Sequence, residues 1–166
     1  MFIHYLIVFF ISMVPLIELR GAIPYAVGFI QAGYDLNLPL CYLIAIVGNM
    51  IPVPIIFFFA RKVLEWGVDK PVIGKIFTFF LNKGHKGGEK LQAKAKNGLY
   101  VALFLFVGIP LPGTGAWTGT LAASILDMDF KTSIIAIMLG VVLAGIIMGL
   151  ASAGLFGAVG AIFEAR

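Results

Sequence analysis

Hydrophobic residues fill two long uninterrupted runs of this chain and two further runs that are interrupted near the middle. The uninterrupted runs, residues 36–60 and 132–163, contain no charged residue and exceed the roughly 20 residues with which a helix crosses a bilayer. We predict that each forms a transmembrane helix. The interruptions of the other two runs hold charged residues, proline or glycine, which continuous membrane helices mostly avoid.

Each interrupted run consists of two arms that are too short to cross a bilayer alone. The arms are residues 2–17 and 22–33 around a break at 18–21, and residues 99–109 and 116–126 around a break at 110–115. As helices they would measure about 16 to 24 Å, against a hydrocarbon core of about 30 Å. Irregular backbone at membrane depth needs surrounding protein or water. We therefore predict that each pair of arms forms a re-entrant helical hairpin.

The two halves of the chain repeat one order of parts: a broken run, a short acidic connector and a long apolar run. Three dipeptides recur in that order: Pro15-Leu16 with Pro110-Leu111, Gly21-Ala22 with Gly115-Ala116, and Asp35-Leu36 with Asp129-Phe130. We predict an all-α polytopic membrane protein of two inverted repeats, each a re-entrant hairpin followed by a transmembrane helix. Such repeats, with broken helices meeting at the midplane, are typical of secondary transporters.

Charge is sparse and concentrated in one connector. Of the 166 residues, 61% are hydrophobic and 12% are charged, which is too little charge for a surface that faces only water. Nine of the twelve lysines and arginines lie in residues 61–97, as the positive-inside rule expects of a cytoplasmic loop. We expect one membrane domain over residues 1–166, in which this basic connector joins halves 1–60 and 98–166. The first hairpin would then enter from outside and the second from inside.

Two segments outside the predicted spans have expected roles. Apolar residues from Val72 to Leu81 recur at helical spacing after Pro71, which predicts an amphipathic helix on the cytoplasmic leaflet; the alternative is a solvated loop helix. The N-terminal run lacks a basic start and a small-residue cleavage site, so we expect it to be retained and inserted.

Other function classes lack the residues that they need. The basic connector has no aromatic-interleaved motif of the kind that binds nucleic acid, so no nucleic-acid partner is expected. Cys41 stands alone, and His4 and His85 lie apart from carboxylates, so we predict no metal site and no cofactor. No catalytic constellation falls at the breaks, so an enzyme is not expected.

Glu18 and Arg20 give the sharpest chemical signal in the chain. Each costs roughly 2.5–3.5 kcal/mol to place at membrane depth on insertion scales, so a membrane protein keeps such residues for pairing or for a pathway. In a functional interpretation, Glu18 binds a proton or cation while Arg20 holds an anionic substrate or tunes Glu18. The alternative is a structural ion pair that fixes the hairpin tip.

The second break offers neutral hydrogen-bonding groups. Its candidate site residues are Pro110, Pro112, Gly113, Thr114, Gly115, Trp117 and Thr118. Glycines let a backbone approach a ligand closely, and a helix that begins near Ala116 would point its positive end at the break. The alternative is a tight membrane turn whose threonines satisfy freed carbonyls, with Trp117 as an interfacial anchor.

Polar and small residues elsewhere in the apolar runs suggest further contacts. Asn49 either hydrogen-bonds a neighbouring helix or belongs to a pathway. Asp127 and Asp129 are expected to cap the last helix at the aqueous boundary. Gly145 and Gly149 mark a close-packing face that meets either its own chain or a second copy, so a homo-oligomer stays an open alternative.

Two stretches of the chain resemble the signature stretches of the bacterial and archaeal small multidrug export protein family: PLIELRGAIP at residues 15–24 and GIPLPGTGAWTG at residues 108–119. The resemblance covers nearly the whole chain and implies distant kinship with the DedA/VTT membrane proteins, which share opposed re-entrant hairpins. It implies a multi-pass transporter of a prokaryotic inner membrane, linked to proton-motive force, with lipid carriers or phospholipids as cargo. Glu18 matches the acidic residue of the DedA first hairpin. The arginines usual in the DedA second hairpin are missing from residues 110–120, which leaves Arg20 as the only buried cation.

These observations favour a small transporter that moves an amphipathic or lipid-like substrate through a midplane site between the two tips. Outside the second break, the predicted substrate- or proton-binding residues are Glu18, Arg20, Pro24 and Asn49. A non-transporting scaffold or assembly factor, in which Glu18 and Arg20 only stabilise the fold, is the alternative. The expected partners are the lipid bilayer and the substrate itself.

Overall fold

The computed structural model describes residues 2–71, 74–75, 78 and 96–164, and every regular element in this part of the chain is helical, which confirms the all-α prediction there. We number the seven fully described helices in chain order: α1 Phe2–Met13, α2 Glu18–Gln31, α3 Leu38–Met50, α4 Pro52–Val68, α5 Lys96–Gly108, α6 Ala116–Ile125 and α7 Phe130–Glu164. The predicted amphipathic helix of the connector falls mostly outside the described residues.

Two stretches of these helices are long and apolar enough to cross a bilayer: Leu38–Phe59 and Phe130–Gly154. Both overlap the runs for which spans were predicted. Near the start of α3, the Tyr42 hydroxyl donates to the Gly145 carbonyl at 3.0 Å. Further along α4, the ring centroid of Phe58 lies 4.6 Å from that of Phe130. The two stretches are therefore antiparallel.

The first of these stretches is not one continuous helix. Its two parts, α3 and α4, meet at Ile51, because Pro52 has no N–H to donate to the Gly48 carbonyl. The prediction ended this run at residue 60, but α4 continues to Val68. Arg61, Lys62, Leu64 and Glu65 are good helix formers, and the charge that marks this segment as connector does not end a helix.

The glycine face of α7 packs against its own chain. A Cβ added at Gly149 would collide with the Tyr42 hydroxyl, and one added at Gly145 would lie 3.3 Å from the Leu19 side chain. These glycines let α2 and α3 approach α7 closely. Of the two alternatives that the sequence left open for Gly145 and Gly149, the structure shows contact within the chain.

A tyrosine in each half ties the start of the first arm to the start of the following long helix. The Tyr5 hydroxyl accepts a hydrogen bond from the Asn37 N–H at 2.9 Å. The Tyr100 hydroxyl accepts one from the Asp129 N–H at 3.2 Å. Asn37 and Asp129 also cap α3 and α7, since each side chain accepts from the N–H three residues on, at 2.9 Å. Each pair of arms therefore folds back so that both outer ends lie together.

The second arms, α2 and α6, end in the same turn. In both, the N–H of the second residue after the helix cap donates five residues back at 3.0 Å, which is the Schellman closure. The residue in the left-handed conformation is Gly33 in the first half (φ 90°) and Asp127 in the second (φ 52°). Of the two residues expected to cap α7, Asp129 is the cap, whereas the backbone of Asp127 forms the turn after α6.

The first break lies earlier in the chain than predicted. Residues 14–17 form the turn and Glu18 opens α2, whereas the sequence placed the break at residues 18–21. Pro15 has no N–H with which to continue α1, so proline rather than charge ends this helix. Glu18 and Arg20 consequently lie in the first turn of a helix.

Candidate substrate site at the two helix breaks

The Glu18 carboxylate lies on the N-terminal end of α6. The side chain is 3% exposed and accepts hydrogen bonds from the backbone N–H groups of Ala116 (Oε2, 3.1 Å) and Trp117 (Oε1, 3.0 Å). As predicted, the helix begins at Ala116 and points its positive end at the break. The first half thus supplies the anion that satisfies the free N–H groups of a helix start in the second half.

The Arg20 guanidinium lies on the opposite side of the second break, where α5 ends. Its Nη1 donates to the Leu111 carbonyl (2.7 Å), and its Nη2 donates to the Thr114 hydroxyl (2.8 Å) and the Val107 carbonyl (3.2 Å). Val107 belongs to the last turn of α5, whose carbonyls have no helical partner and carry partial negative charge. A guanidinium, with five donors in a planar fork, suits such a cluster of carbonyls.

We call Glu18, Arg20 and their partners at residues 107–117 the break clamp. Among the described residues, the hydrogen bonds of both side chains go to the second break and not to each other. The ion pair within one tip that the sequence suggested is therefore replaced by two contacts across the breaks. The reason is that each side chain lies at a helix end whose partial charge is opposite to its own.

Proline and glycine shape the second break so that the carboxylate can reach it. Pro110 and Pro112 cannot donate helical hydrogen bonds, which agrees with the end of α5 at Gly108. Gly115 has φ 133° and ψ −175°, a region that is essentially restricted to glycine. A Cβ at Gly115 would lie 2.5 Å from a carboxylate oxygen of Glu18.

Threonine hydroxyls satisfy carbonyls that the second break frees. Thr114 accepts from Arg20 and can donate to the Leu111 carbonyl at 2.8 Å. The Thr118 hydroxyl lies 3.4 Å from the Gly115 carbonyl, which it can reach as a donor. These contacts are those of a tight turn, and the N–H groups at the start of α6 bind the Glu18 carboxylate of the same chain. Ligand binding at this break stays a prediction.

The other candidates lie around the clamp or apart from it. Pro112 and Gly113 are exposed on the outer side of the second break. Trp117 gives its backbone N–H to the clamp, while its buried indole Nε1 has no partner within the described ranges. Pro24 lies in the interior of α2, and Asn49 is 2% exposed on α3. In the part of the chain that the structure covers, neither makes a hydrogen bond to the clamp, and Asn49 Oδ1 has no partner.

Sequence reasoning missed the carbonyl groups of Val107 and Leu111. An indirect signal for the first of them exists in the sequence: Pro110 and Pro112 end the helix, and a helix end leaves its last carbonyls, that of Val107 among them, without helical donors. Within the described ranges, no group of three His, Cys, Asp or Glu side chains is placed to hold a metal ion.

Comparison of the sequence with protein-family models identified one family. A family model described as "Putative small multi-drug export protein" matches residues 18–147, which include Glu18, Arg20 and the whole second break. Comparison with curated proteins and with solved structures found no match.

Proposed function

Because the chain belongs to the small multi-drug export protein family, we propose that this membrane protein is a transporter whose substrate path runs between the two helix breaks. The break clamp carries this proposal, since two charges from the first half lie on opposite helix ends of the second half. Opening a path between the halves requires both contacts to be exchanged for contacts with a substrate, a proton or water.

The proposed architecture is a pair of inverted repeats with re-entrant hairpins in a prokaryotic inner membrane, and with the 61–97 connector in the cytoplasm. The two tyrosine ties and the shared turn at the ends of α2 and α6 support a repeat, because both halves use the same closing contacts at corresponding places. In a bilayer, the breaks would then meet near the midplane, where secondary transporters place their substrate sites.

Proton-motive force acts on Glu18 in this proposal. An ionised carboxylate binds the N–H groups of Ala116 and Trp117 more strongly than a neutral carboxyl group does, so protonation loosens one side of the clamp. Arg20 can then exchange the Leu111 carbonyl for the phosphate of an anionic headgroup. An amphipathic cation is the competing cargo, and it would pair with Glu18 directly while protons displace it.

A non-transporting scaffold is the second candidate, and one observation favours it. The hydrogen bonds of Arg20 all go to the backbone of the second break or to Thr114, which is what a purely structural contact needs. Exchanging the residues at positions 18 and 20 cannot separate the candidates, because the exchange would place each charge on a helix end of the same sign.

Gradient-driven movement by the wild type separates the two functions, and Glu18→Gln tests whether this carboxylate couples it to protons. The amide oxygen can still accept one N–H from α6, but the side chain can neither carry a charge nor exchange a proton. We expect folded Glu18→Gln protein, in vesicles with an imposed pH gradient, to move neither anionic lipid nor amphipathic cation above the level of empty vesicles. The control Asp35→Asn removes an exposed carboxylate away from the breaks and should keep the wild-type rate. Wild-type, gradient-driven movement by Glu18→Gln would contradict proton coupling through this residue.

A further inference from the structure

Asn49 on α3 is a buried polar residue that lacks the hydrogen bond which burial normally requires. Its side chain is 2% exposed, and its Oδ1 atom has no partner in the described part of the chain. A buried acceptor without a donor is costly, and native proteins contain few of them. Such an acceptor is accounted for if its donor is present in only one of two states of the protein.

Asn49 lies at the depth of Glu18. A Cβ added at the neighbouring Gly48 would collide with the Ser12 hydroxyl, in the last turn of α1. The Glu18 N–H donates to the Val14 carbonyl at 2.9 Å, directly after the same turn. Both residues are therefore level with the end of α1 at the first break.

The side of α3 that carries Asn49 packs against α2 and α7. Tyr42 and Asn49 are seven residues apart, which is about two helical turns, so they share one face of α3. A Cβ at Gly145 of α7 would lie 3.3 Å from both the Tyr42 ring and the Leu19 side chain. Leu19 follows Glu18 directly, so this face of α3 meets the helix that carries the carboxylate.

A second polar group beside Glu18 also lacks a partner. The backbone N–H of Trp117 donates to Glu18 Oε1 at 3.0 Å, whereas its buried indole Nε1 has no acceptor in the regions that the structure covers. Asn49 and Trp117 thus offer one free acceptor and one free donor. An ionised carboxylate only accepts hydrogen bonds and cannot satisfy Asn49. A neutral carboxyl group has one O–H donor and a carbonyl oxygen that accepts, and it complements both groups.

We propose that Asn49 Oδ1 accepts the O–H of Glu18 when Glu18 is protonated, and that the Trp117 indole donates to the carbonyl oxygen of the same carboxyl group. The step binds one proton from water and otherwise changes only hydrogen bonds. The ionised form holds the N–H groups of α6, and the neutral form holds the two groups that the ionised form leaves without partners. Asn49 and Trp117 are positioning residues for the proton-bound form. This inference rests on the proton binding by Glu18 in the proposed function.

Arg20 is the charged side chain that acts on Glu18 from its own helix. The helices α3 and α6 have no charged residue, and α1 has His4 in the turn farthest from the first break. The charged residues of α5 and α7 are in the first turn or at the last position: Lys96, Lys131 and Glu164. Protonation of Glu18 therefore depends on Arg20 and on the hydrogen-bond partners of each form.

Infrared difference spectroscopy of the full chain in maltoside micelles follows the protonation of Glu18 directly. The carbonyl band of a neutral carboxyl group appears as the pH falls, and the band that Glu18→Gln lacks belongs to Glu18. Asn49→Leu has a similar size but no acceptor, so its proton affinity at Glu18 should be about three- to tenfold lower than in the wild type. Asn49→Gln keeps an amide oxygen, and its protonation midpoint should stay closer to the wild type.

Trp117→Phe keeps the aromatic side chain and the backbone N–H but removes the indole donor. Its Glu18 carbonyl band should move to higher frequency, because a hydrogen bond to a carbonyl oxygen weakens the C=O bond.

Ser133→Ala is the matched control. Ser133 is fully buried, and its hydroxyl also has no partner in the segments that the structure describes. It lies about two turns before Gly140, where an added Cβ would meet Val107 in the last turn of α5. This variant should change neither the midpoint nor the band.

The same titrations separate failure of this inference from failure of the proposed function. If Glu18 titrates in the wild type and its midpoint is unchanged in Asn49→Leu, the role of Asn49 is overturned, while proton binding by Glu18 is retained. An unchanged band in Trp117→Phe overturns the role of the indole in the same way. If the wild type shows no Glu18 band at any pH at which it stays folded, the proposed proton coupling fails, and this inference fails with it.

Discussion

Gly115 and Gly113 belong to the same break and differ in what surrounds them. Both have positive φ, 133° at Gly115 and 80° at Gly113. A Cβ at Gly113 would meet nothing within 4 Å, whereas one at Gly115 would lie 2.5 Å from the Glu18 carboxylate. Glycine is therefore required at one position for backbone conformation alone, and at the other also for space.

Gly115→Ala is expected to destabilise the protein more than Gly113→Ala does. Strained backbone costs about 1–3 kcal/mol in each variant, and more at Gly115, whose conformation is essentially restricted to glycine. Only Gly115→Ala also pushes the carboxylate off the Ala116 and Trp117 N–H groups, and each buried donor without a partner costs about 1–3 kcal/mol. Thermal unfolding of the two purified variants in maltoside measures the difference.

The same two substitutions in a Glu18→Gly background provide the control. With the carboxylate absent, the added Cβ at Gly115 has room, so the excess loss over Gly113→Ala should shrink to the difference in backbone strain between the two positions. Equal melting temperatures for the two alanine variants in the wild-type background would show that the carboxylate does not occupy this space.

At the residue scale, the sequence identifies the charged members of the clamp but not their contacts. Glu18 and Arg20 stand out because charge is rare and costly in an apolar run. Most of their partners are backbone groups about ninety residues away, as for Arg20 and the Leu111 carbonyl (91 apart). Such partners carry no side-chain signature, so only the fold can bring them together.

At the scale of the helices, polar side chains make many of their contacts with helix ends. Asp129, which caps the start of α7, is a solvent-exposed example. The backbone N–H and the hydroxyl of Thr132 both donate to its carboxylate at 2.9 Å and hold the pKa of Asp129 below its ordinary value. A carboxylate whose pKa is lowered in the folded state contributes stability above the unfolded pKa of about 3.9. This contribution is lost as the pH falls through the lower, folded pKa.

Asp129→Ala should therefore melt below the wild type at pH 7, with a difference that shrinks as the pH falls below about 4. Asp129→Asn keeps an acceptor for the Thr132 N–H and should lie closer to the wild type at pH 7. Melting curves of the three proteins in maltoside across this pH range measure the effect. A difference between wild type and Asp129→Ala that is constant with pH would mean that the ionised carboxylate is not the capping group.

Helices are easier to predict from this sequence than the places where they stop. Pro15 and Pro110 mark the two breaks correctly. Charged residues were misleading as stop signals: from them we predicted the first break four residues too late and the end of the run in α4 too early. The interruption at Ile51 was foreseeable from Pro52. Charged residues continue a helix whenever their heads find water or a partner, so they are weaker stop signals than a missing N–H.

At the scale of the whole molecule, the outer ends of the two arm pairs lie on opposite sides of the contact between the breaks. The first pair closes at Tyr5 and Asn37, and the second closes at Tyr100 and Asp129 beside the latter part of α4. Composition and order of parts predicted the helical content and the two long apolar helices, which do not depend on side-chain detail. The inverted repeat, the re-entrant depth and the DedA/VTT kinship stay predictions.

Labelling of single cysteines from either side of the membrane tests that arrangement. In a Cys41→Ala background, Phe2→Cys and Asp35→Cys should react with an impermeant maleimide only from outside the cell. Asp69→Cys and Lys131→Cys should react only from the cytoplasm, because the basic connector begins at this end. Reaction of Phe2→Cys and Asp35→Cys from opposite sides would make the first pair of arms a full crossing and remove the inversion.

The separation between Glu18 and its partner also sets an order of events during synthesis. Ala116 follows Glu18 by 98 residues, and a ribosome that adds about 5–20 residues per second needs roughly 5 to 20 s to reach it. Until then, the carboxylate and the Arg20 guanidinium have no helix ends to contact, and at the proposed midplane position each would cost roughly 2.5–3.5 kcal/mol. If the breaks lie at that depth, the first pair of arms would reach it only after the second has been translated. For those seconds, the nascent chain would depend on water or on the insertion machinery to solvate its two charges.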